Sequence, residues 1–137
     1  YFIINEVEAG ACYGTSLRDE NGEILLDKVE EAAKFMLVNG VKEACVIHFP
    51  EGGYAVRTNG DEHYEPSLRI PASEIVSSVG AGDAFCATML YALHEELPLQ
   101  KSLRMANAAA WFNLHNATST DGAPTLAQIE EFLNKNY

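Results

Sequence analysis

Basic residues are scarce in this chain of 137 residues. Nine lysines and arginines stand against 20 aspartates and glutamates, which gives a net charge of -11. A surface of that sign repels the phosphates of nucleic acids and of anionic membranes, so we expect neither as a partner. A small nucleotide remains compatible, because backbone amide dipoles can bind phosphate even on an acidic protein.

Long apolar runs and metal-binding cysteine or histidine patterns are also missing. No stretch approaches the ~20 apolar residues of a membrane-spanning helix, and no secretory signal is recognisable. The cysteines are odd in number and lack CxxC spacing, which predicts reduced thiols in a cytoplasmic protein; they are Cys12, Cys45 and Cys86. The histidines have no metal-ligand spacing, which argues against a zinc site; they are His48, His63, His94 and His115.

An initiating methionine is absent as well. The chain opens with Tyr1 inside the run "YFIIN", which is apolar on both faces, as a central parallel strand would be. Because a central strand has neighbours on both sides, we expect this sequence to be a piece of a longer protein.

Apolar periodicity and turn residues predict strands in the first half of the chain and helices mainly in the second. The predicted strands are "YFIIN" (1–5), "EACVIHF" (43–49), "GYAVRT" and "DEHYEP" around the turn Asn59-Gly60, and a short "SLRIP". The predicted helices are "EVEAGACYG" ending near Gly14, "LDKVEEAAKFMLVNG", Ala81 to Glu96, "LQKSLRMANAAAWFNLHNA", and "TLAQIEEFLNK" with Thr125 as N-cap. The order predicts an α/β protein with helices packed on a mixed sheet.

The segment "SSVGAGDAF" (77–85) carries the chemistry. The glycines of Gly80-Ala81-Gly82 let a ligand approach the backbone closely, and the first amides of the following helix have no internal partner. Together they predict an anion hole, and Asp83 stands in the same turn. A carboxylate base beside an anion site is what phosphoryl transfer to an alcohol requires. The alternative is purely structural: Ser78 caps the helix and Asp83 favours its dipole.

Several segments together resemble the C-terminal part of the PfkB, or ribokinase-like, carbohydrate kinases. "SSVGAGDAF" resembles the family's Asp-Thr-x-Gly-Ala-Gly-Asp signature, and "NEVEA" its Asn-x-x-Glu motif. "VIHFPEGGYAV" resembles the strand-turn-strand that crosses the nucleotide phosphates. "SLRMANAAAWFNL" and "DGAPTLAQIEEFL" resemble the helix beside the adenine and the closing loop and helix. The resemblance covers nearly all of this chain and implies a Rossmann-like layered sheet flanked by helices.

The resemblance implies catalytic and metal roles for particular residues. Asp83 would be the base that activates the acceptor hydroxyl, and the backbone of Gly80, Ala81 and Gly82 the anion hole. Asn5 and Glu8 would organise Mg²⁺ with the phosphates of ATP, partly through water, which suits an ion that keeps several waters. Without the resemblance, Glu8 would be interpreted as a solvated acid at a helix start.

The resemblance also implies nucleotide contacts. These would involve Asn5, His48, Gly52, Gly53, Gly82 and Asn107. Asn107 is a polar group on an otherwise apolar helix face and therefore needs a partner. His48 has a structural alternative, a packed and hydrogen-bonded strand histidine.

Four positions depart from the family pattern. Ser77 and Ser78 replace the family's Asp-Thr, so we expect weak or no activation by a monovalent cation. Thr88 stands where a small residue, usually glycine, is expected. Pro50 stands where the family often has glycine, and it has no amide to offer a phosphate.

We therefore interpret residues 1–137 as the C-terminal nucleotide-binding and catalytic part of an ATP-dependent kinase. The acceptor would be a hydroxyl of a sugar or nucleoside-like molecule, and the N-terminal acceptor-binding part and the lid would be absent. Two alternatives remain open: a nucleotide-binding module without catalysis, and a structural or regulatory fragment that packs with a partner. The sequence leaves the acceptor, and homodimer formation by the full-length protein, undetermined.

Overall fold

A four-stranded mixed sheet is formed by the first half of the chain. Its strands follow one another in chain order, β1 (Phe2–Asn5), β2 (Ala44–Phe49), β3 (Gly52–Arg57) and β4 (Glu62–Pro66). β1 is parallel to β2, and the β2–β3 and β3–β4 pairs are antiparallel. This computed structural model describes Tyr1–Tyr137 and comprises two compact units, Tyr1–Pro66 and Ser67–Tyr137.

Two helices connect β1 to β2 in the first unit, α1 (Glu6–Tyr13) and α2 (Leu26–Val38). The sequence predicts an apolar face of α2 made of Val29, Ala32, Ala33, Met36 and Leu37; the first four are buried, and Leu37 is partly buried against the same core. They join side chains of β2 and β3 in one core. A parallel pair of strands requires such a long crossover, whereas the hairpin between β3 and β4 needs only a short turn. Gly60 in that turn has φ 88°, which confirms the predicted Asn59-Gly60 turn.

The apolar strands β1 and β2 differ in how much of each strand is buried. Five of the six residues of β2 are buried. In β1 only Ile4 is buried, because β1 is an edge strand that pairs with β2 alone. Glu65 of β4 is only 4% exposed, although the composition of "DEHYE" is that of a solvated hairpin.

Three helices make up most of the second unit. They are α3 (Ala81–His94), α4 (Leu99–Leu114) and α5 (Leu126–Asn136). Met105 and Ala109 of α4 pack with Ile129 of α5 in an apolar core. Thr125 caps α5 as predicted, since its side chain accepts from the Gln128 amide and the Gln128 side chain accepts from the Thr125 amide.

The predicted strand "SLRIP" is wrong. Residues 67–71 have no regular secondary structure. Pro66 precedes the segment and Pro71 ends it, and proline has no amide to donate to a sheet ladder. None of the five α-helices combines the length and the apolar character that crossing a lipid bilayer demands.

Candidate active site

The Gly-Ala-Gly-Asp segment forms the N-terminus of α3. Gly80 is the N-cap, with φ 86° and ψ -7°, a left-handed conformation that glycine adopts without strain. No side chain caps this helix, so the structural interpretation of Ser78 as the cap is wrong. The Ser77 hydroxyl instead accepts a hydrogen bond from the Val79 amide at 3.2 Å and stabilises the preceding turn.

The uncapped turn leaves backbone donors available. The Ala84 amide makes the first helical bond, to the Gly80 carbonyl at 2.9 Å, and the Ala81 amide makes a long one of 3.4 Å to the Ser78 carbonyl. The Gly82 and Asp83 amides donate to no acceptor in the protein. Unpartnered amides at the positive end of a helix dipole form an anion-binding site.

The Asp83 side chain is exposed in the first turn of α3. Its carboxylate acts on a neighbour one turn along the helix: the pKa of the Cys86 thiol is raised, first by burial and second by the negative charge of Asp83. A solvent-accessible carboxylate beside free amides can accept a proton from a bound hydroxyl while the amides hold an anion.

One side of this turn is closed by a distant segment of the same unit. A side chain at Gly80 would lie only 2.6 Å from the Cα of Ser119 and 2.7 Å from its carbonyl oxygen. Glycine is therefore needed at this position for space as well as for its left-handed backbone. No sequence pattern indicated Ser119, because the contact joins residues far apart in the chain.

Asn5 and Glu8 form a reciprocal capping box at the N-terminus of α1. The Asn5 side-chain oxygen accepts from the Glu8 amide at 2.8 Å, and Glu8 Oε2 accepts from the Asn5 amide at 3.1 Å. The Asn-x-x-Glu spacing thus has a local structural function. Glu8 remains exposed, and its second carboxylate oxygen is available to water or to a hydrated cation.

The end of the sheet gathers three of the predicted nucleotide contacts. Asn5, His48 and Gly53 pair with one another across β1, β2 and β3 in a single row. Gly52 lies at the start of β3, where a Cβ would lie 2.6 Å from the Glu65 carbonyl oxygen. The small size of Gly52 thus serves the pairing of β3 with β4.

Arg18 joins two parts of this sheet end and was missed in the sequence. It bonds Glu6 in the first turn of α1 at 2.8 Å. It also bonds both carboxylate oxygens of Glu51, in the β2–β3 turn, at 2.8 and 2.9 Å. The guanidinium holds the pKa of Glu51 below its usual value.

Asn107 and Thr88, the other residues singled out in the sequence, lie in the second unit. Asn107 is 8% exposed on α4. Thr88 lines an apolar cleft of about 290 Å³ between α3, α4 and the start of α5. The structure contains no group of three or more His, Cys, Asp or Glu side chains arranged to hold a metal ion.

The profile of the pfkB family of carbohydrate kinases matches residues 1–126. The chain belongs to this family. Among curated relatives, it is 30% identical over 106 residues to the 5-dehydro-2-deoxygluconokinase of Geobacillus kaustophilus. The aligned region covers 77% of this chain and 31% of that protein. The chain thus spans about a third of the length of this relative.

Solved structures of pfkB-family and ribokinase-like proteins confirm the predicted fold. Ribokinase from Thermotoga maritima matches with a TM-score of 0.74 and 26% identity, over 96% of this chain and 41% of that one. A presumed ribokinase II of Escherichia coli in complex with ATP and Mg²⁺ matches with a TM-score of 0.75 and 19% identity, over 98% of this chain and 39% of that one. The chain therefore has the architecture of part of a ribokinase-like α/β fold.

Proposed function

We propose that this chain is the nucleotide-binding and catalytic part of an ATP-dependent kinase that phosphorylates a hydroxyl of a sugar or nucleoside-like molecule. The observation that carries the proposal is the uncapped N-terminus of α3. There the exposed Asp83 carboxylate stands beside two backbone amides that have no acceptor in the protein. Membership of the pfkB family supports sugar kinase chemistry for such a site.

Asp83 takes the role of general base. It accepts the proton of the acceptor hydroxyl as that oxygen attacks the terminal phosphorus of ATP, while the bond from this phosphorus to the bridging oxygen breaks and ADP leaves. The free amides of Gly82 and Asp83 donate to the phosphoryl oxygens, whose charge they stabilise in the transition state. These donors are already oriented by the helix, so little reorganisation is needed when charge develops.

The sheet end of the first unit supplies groups for the nucleotide and its metal. Asn5 and Glu8 are fixed by their capping box, and the free oxygen of Glu8 orients water of a hydrated Mg²⁺. When bound, Mg²⁺ neutralises phosphate charge. His48, Gly53 and Gly52 approach the phosphates, and Asn107 contributes to the nucleotide site in the second unit. The E. coli structure that contains ATP and Mg²⁺ supports this choice of cofactors.

We assign the binding of the acceptor to residues outside these 137. The support is the length comparison, since the chain covers only 31% of its Geobacillus relative. 5-Dehydro-2-deoxygluconate is the first acceptor to test, because relatives are named for it. A cytoplasmic location is proposed from the three free cysteines.

The deciding experiment introduces Asp83→Asn into the full-length protein. We expect kcat to fall by ~10²–10⁴ with little change in nucleotide affinity, because general-base removal has about that effect. Asp27→Asn is the matched control, since Asp27 is also an exposed aspartate in the first turn of a helix. Phosphoryl transfer is followed as acceptor-dependent ADP release. Wild-type kcat in Asp83→Asn would exclude Asp83 as the base.

A further inference from the structure

The C-terminal end of α4 holds both flanks of the anion-binding turn. The Leu114 carbonyl accepts from the Val76 amide at 2.9 Å and, at 3.4 Å, from the Ser77 amide, which fixes the segment before the turn. The preceding residue, Asn113, donates from Nδ2 to the Ser119 carbonyl at 3.0 Å. Ser119 in turn is the residue that closes against Gly80.

Asn113 is an unusual choice for this position. The side chain is fully buried, with 0% exposure, and its Oδ1 atom has no hydrogen-bond partner. The direction of the amide is fixed, because the Ser119 carbonyl needs a donor and only Nδ2 can supply one. A buried acceptor without a partner lowers stability, because it has lost its hydrogen bonds to water without gaining one in the protein. An apolar residue of the same shape would avoid that loss.

We propose that Asn113 is a positioning residue for phosphoryl transfer, retained at the expense of stability because it locks the segment at Ser119 against Gly80. Ser119 is itself exposed, so without the Asn113 donor its carbonyl can turn to solvent and the segment can move away. Gly80 then loses the contact that closes one side of the turn. The free amides of Gly82 and Asp83 lie in the same turn, two and three residues after Gly80, so their direction changes with it.

This inference rests on the proposed function and predicts a separation of stability from activity. Asn113→Leu keeps the branched shape of asparagine and removes both polar atoms. In the full-length protein we expect its thermal midpoint to be equal to or above that of the wild type. We expect its kcat to be lower by ~10-fold or more, because small misplacements of catalytic groups have large effects.

Asn116→Leu is the matched control. Asn116 is an asparagine at the same helix end, and its Nδ2 donates to the Phe112 carbonyl at 2.9 Å rather than to the segment at Ser119. It should lose little kcat. A second measurement does not depend on activity: hydrogen exchange of the Ala84 amide, which bonds the Gly80 carbonyl, should become several-fold faster in Asn113→Leu and not in Asn116→Leu.

The possible results separate the two proposals. Stable Asn113→Leu protein with reduced kcat and faster Ala84 exchange supports the role of Asn113. Destabilised or unfolded Asn113→Leu protein shows that Asn113 serves stability alone and overturns the inference, as does a stable variant with unchanged kcat and exchange. If the wild-type protein transfers no phosphoryl group, the proposed function fails, and the exchange and stability measurements alone decide whether Asn113 locks the turn.

Discussion

At the scale of single residues, the side chains of this site combine structural and chemical functions. Glu8 is the clearest case, since one oxygen completes a capping box and the other is available to a hydrated cation. Removing its charge while retaining its shape therefore distinguishes the two functions.

Glu8→Gln should preserve the capping box, because glutamine is an accepted residue at the third helical position of that motif. The Mg²⁺ concentration for half-maximal rate should rise, because a carboxylate in the outer shell orients metal-bound water. The measurement is a Mg²⁺ titration of kcat in the full-length protein at saturating ATP. Glu6→Gln, which alters a neighbouring acid of α1 bonded to Arg18, serves as the comparison. An unchanged titration for Glu8→Gln would make Glu8 a helix cap only.

Ser77 leads to a prediction about monovalent cations. Its hydroxyl already accepts from the Val79 amide, and a neutral hydroxyl is a weaker cation ligand than the aspartate that the family has there. Replacing Na⁺ with K⁺ at constant ionic strength should therefore change the rate little. Ser77→Asp should increase the response to K⁺. A wild-type rate that rises by an order of magnitude in K⁺ would contradict this expectation.

At the scale of elements, Arg18 joins the start of α1 to the β2–β3 turn through Glu6 and Glu51. The turn residue Pro50 has no amide, so the phosphate contacts that we propose for this turn would come from the glycines that follow. The position of these glycines depends in turn on the β2–β3 turn, which Arg18 fixes through Glu51.

Arg18→Gln should raise the KM for ATP more than it lowers kcat, because it loosens a binding element rather than the base. Lys34→Gln is the control, since Lys34 also bonds two carboxylates, Glu30 and Glu62, far from this turn. The pKa of Glu51 is lowered in the folded protein, so its interaction stabilises the fold above the usual carboxyl pKa and is lost as the pH falls through the folded value. The effect of Arg18→Gln on thermal stability should therefore shrink in acid. An equal loss of kcat and kcat/KM would contradict a binding role.

Periodicity and turn residues predicted most elements correctly. The five helices and four strands follow from apolar spacing, caps such as Thr125, and glycines such as Gly60. The one false strand, "SLRIP", has the composition of a strand but lies between two prolines. The anion turn was predicted because its donors and its carboxylate are adjacent in sequence. The contacts of Asn113 with Ser119 and of Arg18 with Glu51 were not predicted, because each joins residues that are apart in the chain and no local pattern encodes them.

At the scale of the whole molecule, the chain combines one sheet unit and one helical unit, with β1 at an open sheet edge. Apolar side chains are exposed near this edge, including Tyr1 at 57% and Val7 at 73%. An unpaired apolar edge favours association with other chains.

We predict that residues 1–137 alone bind nucleotide weakly, self-associate and do not phosphorylate an acceptor. Phosphoryl transfer is mainly positioning and electrostatic stabilisation, so base, phosphate and acceptor must be held together. The test is sedimentation of the isolated chain, together with ADP release against a panel of sugars, sugar acids and nucleosides. Monodisperse monomer with acceptor-dependent turnover would mean that a complete acceptor site lies within these residues.

The parallel pairing of β1 with β2 has a consequence for the order of folding. β2, β3 and β4 are joined by short turns, so they can form early with little loss of chain entropy. β1 must wait until α1 and α2 have bridged the interval from Asn5 to Ala44. Because Asn5 ends β1 and Glu8 follows within α1, the capping box acquires its place beside His48 only in a late step. The groups assigned to the metal would then be among the last to be organised as the protein folds, and the first to be released when β1 detaches.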